Sequence, residues 1–224
     1  MSWFTLYNFQ PFIWCEDEGA KGIDADIIAE LFQRLGRTYT IRSLPWKRAL
    51  GYTQDGDADG TIAAFKTPER EAYAQFLEQP LHFSTYSVFV KKGDEFSFET
   101  VEGLYGKTIG INAEYSVSPT FDAAVQAGQI VVEEVKETEQ NTRKLLARRI
   151  DAMINNRHVT LYTAKTLGLS EGIVPLSRPV QEPRLSYLMI SHAAEIEQKA
   201  ELIQQLNQVL NEMWQDGTVD TITS

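Results

Sequence analysis

The sequence has almost no cysteine. Cys15 stands alone among 224 residues, so no disulfide can form within the chain, and a cysteine-based zinc site is excluded on the same count. One cysteine leaves the compartment open, because disulfide-free proteins are common in the periplasm as well as the cytosol. No stretch of about 18 apolar residues is present, which excludes a membrane-spanning helix. Positive charge is in deficit: 21 Lys and Arg stand against 31 Asp and Glu, a formal charge of −10. A nucleic-acid binder must offer a basic face to phosphates, and a protein held on acidic lipids needs the same, so the balance argues against both. The opening segment, residues 1–7, lacks a basic stretch, an apolar core and a cleavage site. It runs straight into a strand-like pattern, an abrupt start compatible with an export signal replaced by Met1.

Catalytic constellations are missing too. His82, His158 and His192 are far apart in sequence, and none belongs to an H-E-x-x-H pattern. Each alone is expected at the surface or at a helix end. No G-x-S-x-G elbow and no G-x-G-x-x-G turn occurs. Gly103-Leu104-Tyr105-Gly106-Lys107-Thr108 resembles a phosphate loop only superficially. Its first glycine is too close, and a strand pattern follows where a helix N-terminus would have to supply amide donors. A turn leading into a strand is the expectation. Glu133-Glu134 is expected on a solvated face. No catalytic residue, metal site or cofactor is therefore expected.

What is present is an ordinary globular composition, 43% hydrophobic and 23% charged. A chain of 25.4 kDa accommodates one large domain or two of about 110 residues. Short strand-like runs alternate with amphipathic helical patterns. Ile23, Ile27, Ile28, Leu31, Phe32 and Leu35 share a helical face that Gly36 terminates. Pro45 opens a short helix, and Thr67-Pro68-Glu69 is a helix start with an N-cap and a first-position proline. A second series runs from Thr108 to Leu176. Ile196, Ala200, Ile203, Leu206, Leu210, Met213 and Trp214 form the stripe of a long closing helix. The alternation predicts α/β architecture with mostly parallel sheets. Two series predict two lobes, with residues 1–90 in the first, 91–183 in the second, and 184–224 returning to the first.

Lys66-Thr67-Pro68-Glu69-Arg70 is the most informative segment. A cation in a first helical turn opposes the macrodipole and is mildly unfavourable by itself. A bound anion would offset this, with the guanidinium clamping a carboxylate. Two outcomes are open: Arg70 holds an anion, or it swings away to pair with Glu69, Glu71 or another surface acid. Phe9, Phe12 and Trp14 follow the first strand, Trp46 the second and Phe65 the third. Ligand crevices of open parallel sheets lie at these strand ends, so the aromatics suggest apolar walls for a small molecule. A single one of them, Phe12 above all, is more readily a core plug.

Gly22-Ile23-Asp24-Ala25-Asp26-Ile27, Pro45-Trp46-Lys47-Arg48-Ala49-Leu50, Asp57-Ala58-Asp59-Gly60 and Thr67-Pro68-Glu69-Arg70 follow in order. Leu104–Ile111, Leu145–Ala152 and Trp214-Gln215-Asp216-Gly217 continue the series. Together they resemble bacterial extracellular solute-binding proteins of family 3, the substrate-binding proteins of polar amino-acid ABC transporters. The resemblance covers essentially the whole chain. It implies a type II periplasmic-binding fold, two α/β lobes joined by a two-strand hinge and closing on a solute. It implies that Arg70 holds the ligand carboxylate with help from Thr67, that Phe9 and Trp46 sandwich the solute, and that Tyr115, Ser116 and Asn156 contribute from the second lobe.

The departures are specific. Phe65 stands where the family usually carries Ser or Thr. Glu114-Tyr115 replaces Gly-Thr. Asn156 replaces the Asp that accepts the ligand's α-ammonium, and a neutral amide cannot supply that charge-assisted bond. Glu114 or Asp24 could take its place. An aromatic or other organic acid is thus open beside an α-amino acid.

The resemblance implies a monomeric, non-enzymatic periplasmic protein delivering a small carboxylate-bearing solute to the membrane permease of an ABC importer. A ligand-sensing extracellular domain of a receptor kinase is the second possibility, and a dehydratase-like enzyme the third. With a charge of −10, the global field repels an anionic solute, so capture would depend on a local positive site at Arg70.

Overall fold

The structure is a computed structural model describing residues 1–6, 8–17, 19–113 and 117–223. In chain order it contains β1 (Ser2–Leu6), β2 (Asn8–Phe9), β3 (Ile13–Glu16), β4 (Gly19–Lys21), α1 (Ile23–Leu35) and β5 (Thr40–Leu44). There follow α2 (Trp46–Asp55), β6 (Gly60–Phe65), α3 (Pro68–Glu71), β7 (Ala74–Phe76), β8 (His82–Ser84) and β9 (Tyr86–Lys91). Next come β10 (Thr108–Asn112), α4 (Pro119–Gln126), β11 (Val131–Val135), α5 (Thr138–Leu146), β12 (Ala152–Asn156) and α6 (Arg157–Thr166). The chain ends with β13 (Ile173–Pro179), β14 (Arg184–Ser191), α7 (Lys199–Gln215) and α8 (Thr218–Thr223).

Two compact units result: Met1–Phe83 with Arg184–Ser224, and Ser84–Pro183. The first crossing falls at residue 83 instead of 90, because β9 pairs with β12 and β13 in the second unit's sheet.

The first unit's main sheet runs β5-β1-β6-β14-β7, with β8 also on β14. β1 is parallel to β5 and β6, whereas β14 is antiparallel to β6 and β7. The second sheet, β11-β10-β12-β9-β13, repeats this, with β9 antiparallel to both neighbours. The sheets are thus mixed, not mostly parallel. β9 and β14 are not reached through a βαβ crossover, so nothing forces them parallel. A small sheet, β2-β3-β4, had no sequence signal strong enough to foresee.

Alternation along strands places the cores. Leu188 and Ile190 face the first unit's main core with Trp3, Ile28, Phe32, Leu206 and Leu210, while Met189 faces a smaller cluster with Ala64, Ala74 and Phe76. Trp46 and Tyr73 pack on that second cluster. In the second unit Val88, Val90 and Ile154 face one core and Phe89 and Met153 the other, so both sheet faces are covered. Gly60 allows β6 to lie against β14: a Cβ there would stand 2.0 Å from the Met189 carbonyl oxygen.

Two motif aspartates do matching structural work. Asp59 accepts the amide of Ser2 at the start of β1. Asp151 accepts the amide of Thr108 at the start of β10, at 2.7 Å. Each pins a first strand to the turn before its parallel neighbour. The turn at Tyr105–Gly106 leads from a short 3₁₀ segment, Val101–Leu104, into β10, as the strand pattern required. Phe12 is buried, as expected of a core plug. His82 is buried as well, contrary to the surface position expected for it, because Asp24 supplies a partner in the interior.

Candidate functional site

Thr67 adopts extended backbone and its Oγ1 accepts the Arg70 amide at 3.3 Å, with Pro68 at the first helical position. The spacing predicted this cap. The helix it opens, however, is the single turn Pro68–Glu71. So short a helix sums few peptide dipoles, and the anion attraction argued from the macrodipole falls away. The positive charge of the site is the guanidinium itself.

Among the described residues Arg70 pairs with no surface acid. Its Nη1 donates to the Phe65 carbonyl at 2.7 Å, and its Cζ lies 5.4 Å from the Trp46 ring centroid. Glu71 is taken by Lys66 at 3.1 Å. Among the described residues Arg70 forms no salt bridge, although it is half-buried. Burial pushes its pKa down, Tyr73 and Glu69 pull it up, and the charge of Arg184 pushes it down again. Arginine stays protonated regardless, so the direction reports a cation held without a full counter-charge. Tyr73, half-buried beside it, has its phenol pKa raised by burial and lowered by Arg70.

A backbone irregularity shapes the strand that carries Phe65. Tyr187 pairs with Ala64 and Met189 with Thr61, so Ile62 and Ala63 together oppose Leu188. Ala63 takes φ 65°, a left-handed value that costs a non-glycine residue about 1–3 kcal/mol. The extra residue shifts the alternation. Ile62 and Ala63 both pack with the main core, and Ala64 turns to the other face, where Trp46 packs.

Arg184 is a site residue that sequence reasoning missed. Its Cζ lies 4.0 Å from the Phe65 ring centroid. It starts β14 just beyond the pair Ser186–Phe65. No local signal could have found it, because the two residues meet only through β6–β14 register.

The structure therefore brings together Phe65, Thr67, Arg70 and Trp46 of the expected set. Phe9 packs with the main core, its ring 5.2 Å from Phe12 and 6.3 Å from His82. In the second unit Asn156 is fully buried. Its Oδ1 accepts the amides of His158 and Val159 at 3.0 and 3.2 Å, capping α6, and its Nδ2 donates to Ser84 Oγ at 3.1 Å. Neighbouring Asn155 and Asn112 both donate to Thr138 Oγ1, at 2.8 and 3.1 Å. Tyr115 and Ser116, and Glu114 beside them, lie outside the described residues. Asp24 is buried, with Oδ1 on His82. Among the described residues no group of three or more His, Cys, Asp or Glu could hold a metal ion. No described helix is long and apolar enough to cross a membrane.

Comparison with known proteins agrees with this architecture. An L-cystine-binding protein of Bacillus subtilis, TcyA, is 24% identical over 221 residues, covering 98% of this chain and 78% of that protein. The L-cystine-binding protein TcyJ of Escherichia coli K12 is 21% identical, covering 96% and 78%. These relatives are binding proteins, not enzymes. Among solved structures, an ancestral arginine-binding protein bound to arginine superposes with a TM-score of 0.77 at 22% identity, covering 99% of this chain and 95% of that one. A histidine kinase sensor domain with similarity to periplasmic binding proteins gives 0.78 at 14% identity, covering 100% and 93%. The fold is that of type II periplasmic binding proteins. The family model for bacterial extracellular solute-binding proteins, family 3, matches residues 2–224, and the chain belongs to that family.

Proposed function

We propose that the protein captures a small carboxylate-bearing solute, an amino acid or related organic acid, and delivers it to the permease of an ABC importer. The observation that carries this reading is Arg70: a half-buried guanidinium against Trp46, fixed by the Phe65 carbonyl, with no acidic partner among the described residues. Thr67 shapes the turn that presents it, and Phe65 and Trp46 supply apolar walls. In this proposal Phe9, Tyr115 and Ser116 complete the solute contacts, and Asn156 sets the start of α6. Closure of the two units on the solute stabilises the bound state, and the protein acts as a monomer in the periplasm.

The test is calorimetric titration with amino acids and organic acids, L-cystine included because two named relatives bind it. Arg70→Ala should weaken binding on the order of tenfold to a hundredfold, the worth of a charge-assisted pair. Undiminished affinity in that variant rules out the clamp.

A further inference from the structure

Phe65 carries a guanidinium on each of two sides. Arg70 Nη1 donates to its carbonyl at 2.7 Å, and Arg184 Cζ lies 4.0 Å over its ring. Neither arginine forms a salt bridge among the described residues, and the Arg184 side chain makes no hydrogen bond among them either. Stacking on an aromatic face uses the guanidinium plane and leaves its N–H donors free at the edge. Both side chains are half-buried, so water screens their mutual repulsion incompletely. The acids next to Arg70 do not resolve this: Glu71 is bound to Lys66, and Glu69 is exposed. Two cations beside one apolar residue, one on its carbonyl and one on its ring, form a site whose charge no salt bridge offsets among the described residues.

We infer that Arg184 is a second anion-binding residue of the Arg70 site, and that the solute carries two anionic groups, a short dicarboxylic acid being the class that fits. One carboxylate sits on Arg70 and the other on Arg184, with the carbon chain against the Phe65 ring and Trp46. The inference rests on Arg70 being the first clamp, and it adds what decides between solutes. A monoamide of the same length leaves Arg184 without its charge partner and binds more weakly. The strongly negative chain (formal charge −10) makes two local cations more necessary for a dianion than for a zwitterion.

The experiment is calorimetric titration of wild type, Arg184→Gln, Arg184→Lys and Arg70→Gln with three matched pairs. These are L-glutamate and L-glutamine, L-aspartate and L-asparagine, and succinate and succinamate. In wild type at least one diacid should bind about tenfold or more tighter than its monoamide. Arg184→Gln should remove that preference, weakening the diacid more than its monoamide. Arg184→Lys, which keeps the charge and loses the fork, should retain part of it. Equal or stronger binding of the monoamides overturns the inference, as does a preference that survives Arg184→Gln, or a lack of binding by every diacid. The Arg70→Gln arm is read separately: if it leaves carboxylate affinity intact, the clamp itself fails whatever Arg184 does.

Discussion

His82 Nδ1 lies 2.7 Å from Asp24 Oδ1, both side chains are buried, and the imidazole is stacked on Phe12 with ring centroids 3.7 Å apart. The pair ties the start of α1 to β8 inside the first unit. Among the described residues the Asp24 Oδ2 has no hydrogen-bond partner, so the carboxylate leans on its bond with His82. Removing His82 leaves the buried Asp24 carboxylate without that bond, and removing Asp24 takes a buried acceptor from the imidazole. Asp24→Ala or His82→Ala should each destabilise the protein by about 3–5 kcal/mol, read as a fall in the urea unfolding midpoint. The double variant should cost less than the sum of the two, since both single variants lose the same bond. Additive losses would mean that the pair is not an energetic unit.

The Ala63 bulge makes a sharper demand. A β-branched residue at φ 65° meets its own backbone, so Ala63→Val should destabilise by about 1–3 kcal/mol. Ala63→Gly should be close to neutral, because relief of the left-handed strain offsets the entropy glycine adds to the unfolded chain. Thermal melts of the two variants side by side test this. A neutral valine with a destabilising glycine would show that the bulge carries no strain.

These two features mark where the sequence stops being readable. Gly36 as a left-handed helix stop and Thr67 with Pro68 as a helix start were legible because each depends on residues within one turn. Arg184 on Phe65, Asp24 on His82 and the bulge opposite Leu188 depend on tertiary contacts and strand register, which no local pattern encodes. Asp59 and Asp151 fall between. They were visible as motif positions, but their task, holding the first amide of a neighbouring strand, appears only once β1 and β10 are placed.

Trp46 should report on the site. Its ring faces the Arg70 guanidinium at 5.4 Å, so an anion arriving at Arg70 changes the charge beside the indole. Binding of a carboxylate solute should therefore shift tryptophan emission. Trp46→Phe should abolish most of that shift while weakening binding by less than about tenfold, because phenylalanine retains an aromatic face. An undiminished signal in Trp46→Phe would place the solute near another indole.

The carboxyl of Asp216 gives the fold a defined acid response. The Thr218 hydroxyl and the Arg34 guanidinium hold its pKa down at about 2, against an ordinary value of 3.8. Arg34 Nη1 reaches Asp216 Oδ2 at 2.7 Å, its Nη2 reaches Thr218 Oγ1 at 2.8 Å, and its Nε reaches Glu30 at 2.7 Å. The cluster joins α1 to the junction of α7 and α8. A carboxyl with a depressed folded pKa contributes stability that is complete above its unfolded value and is lost as pH falls through its folded value. The contribution of Asp216 should thus be intact above about pH 4 and disappear between about pH 4 and 2. Urea midpoints measured across that range should fall less steeply for Asp216→Asn than for wild type. The difference should shrink in high salt, because the group is exposed and its attraction to Arg34 is screened. Parallel slopes for the two proteins would mean that Asp216 titrates alike folded and unfolded, and that the cluster does not couple α1 to the C-terminal helices.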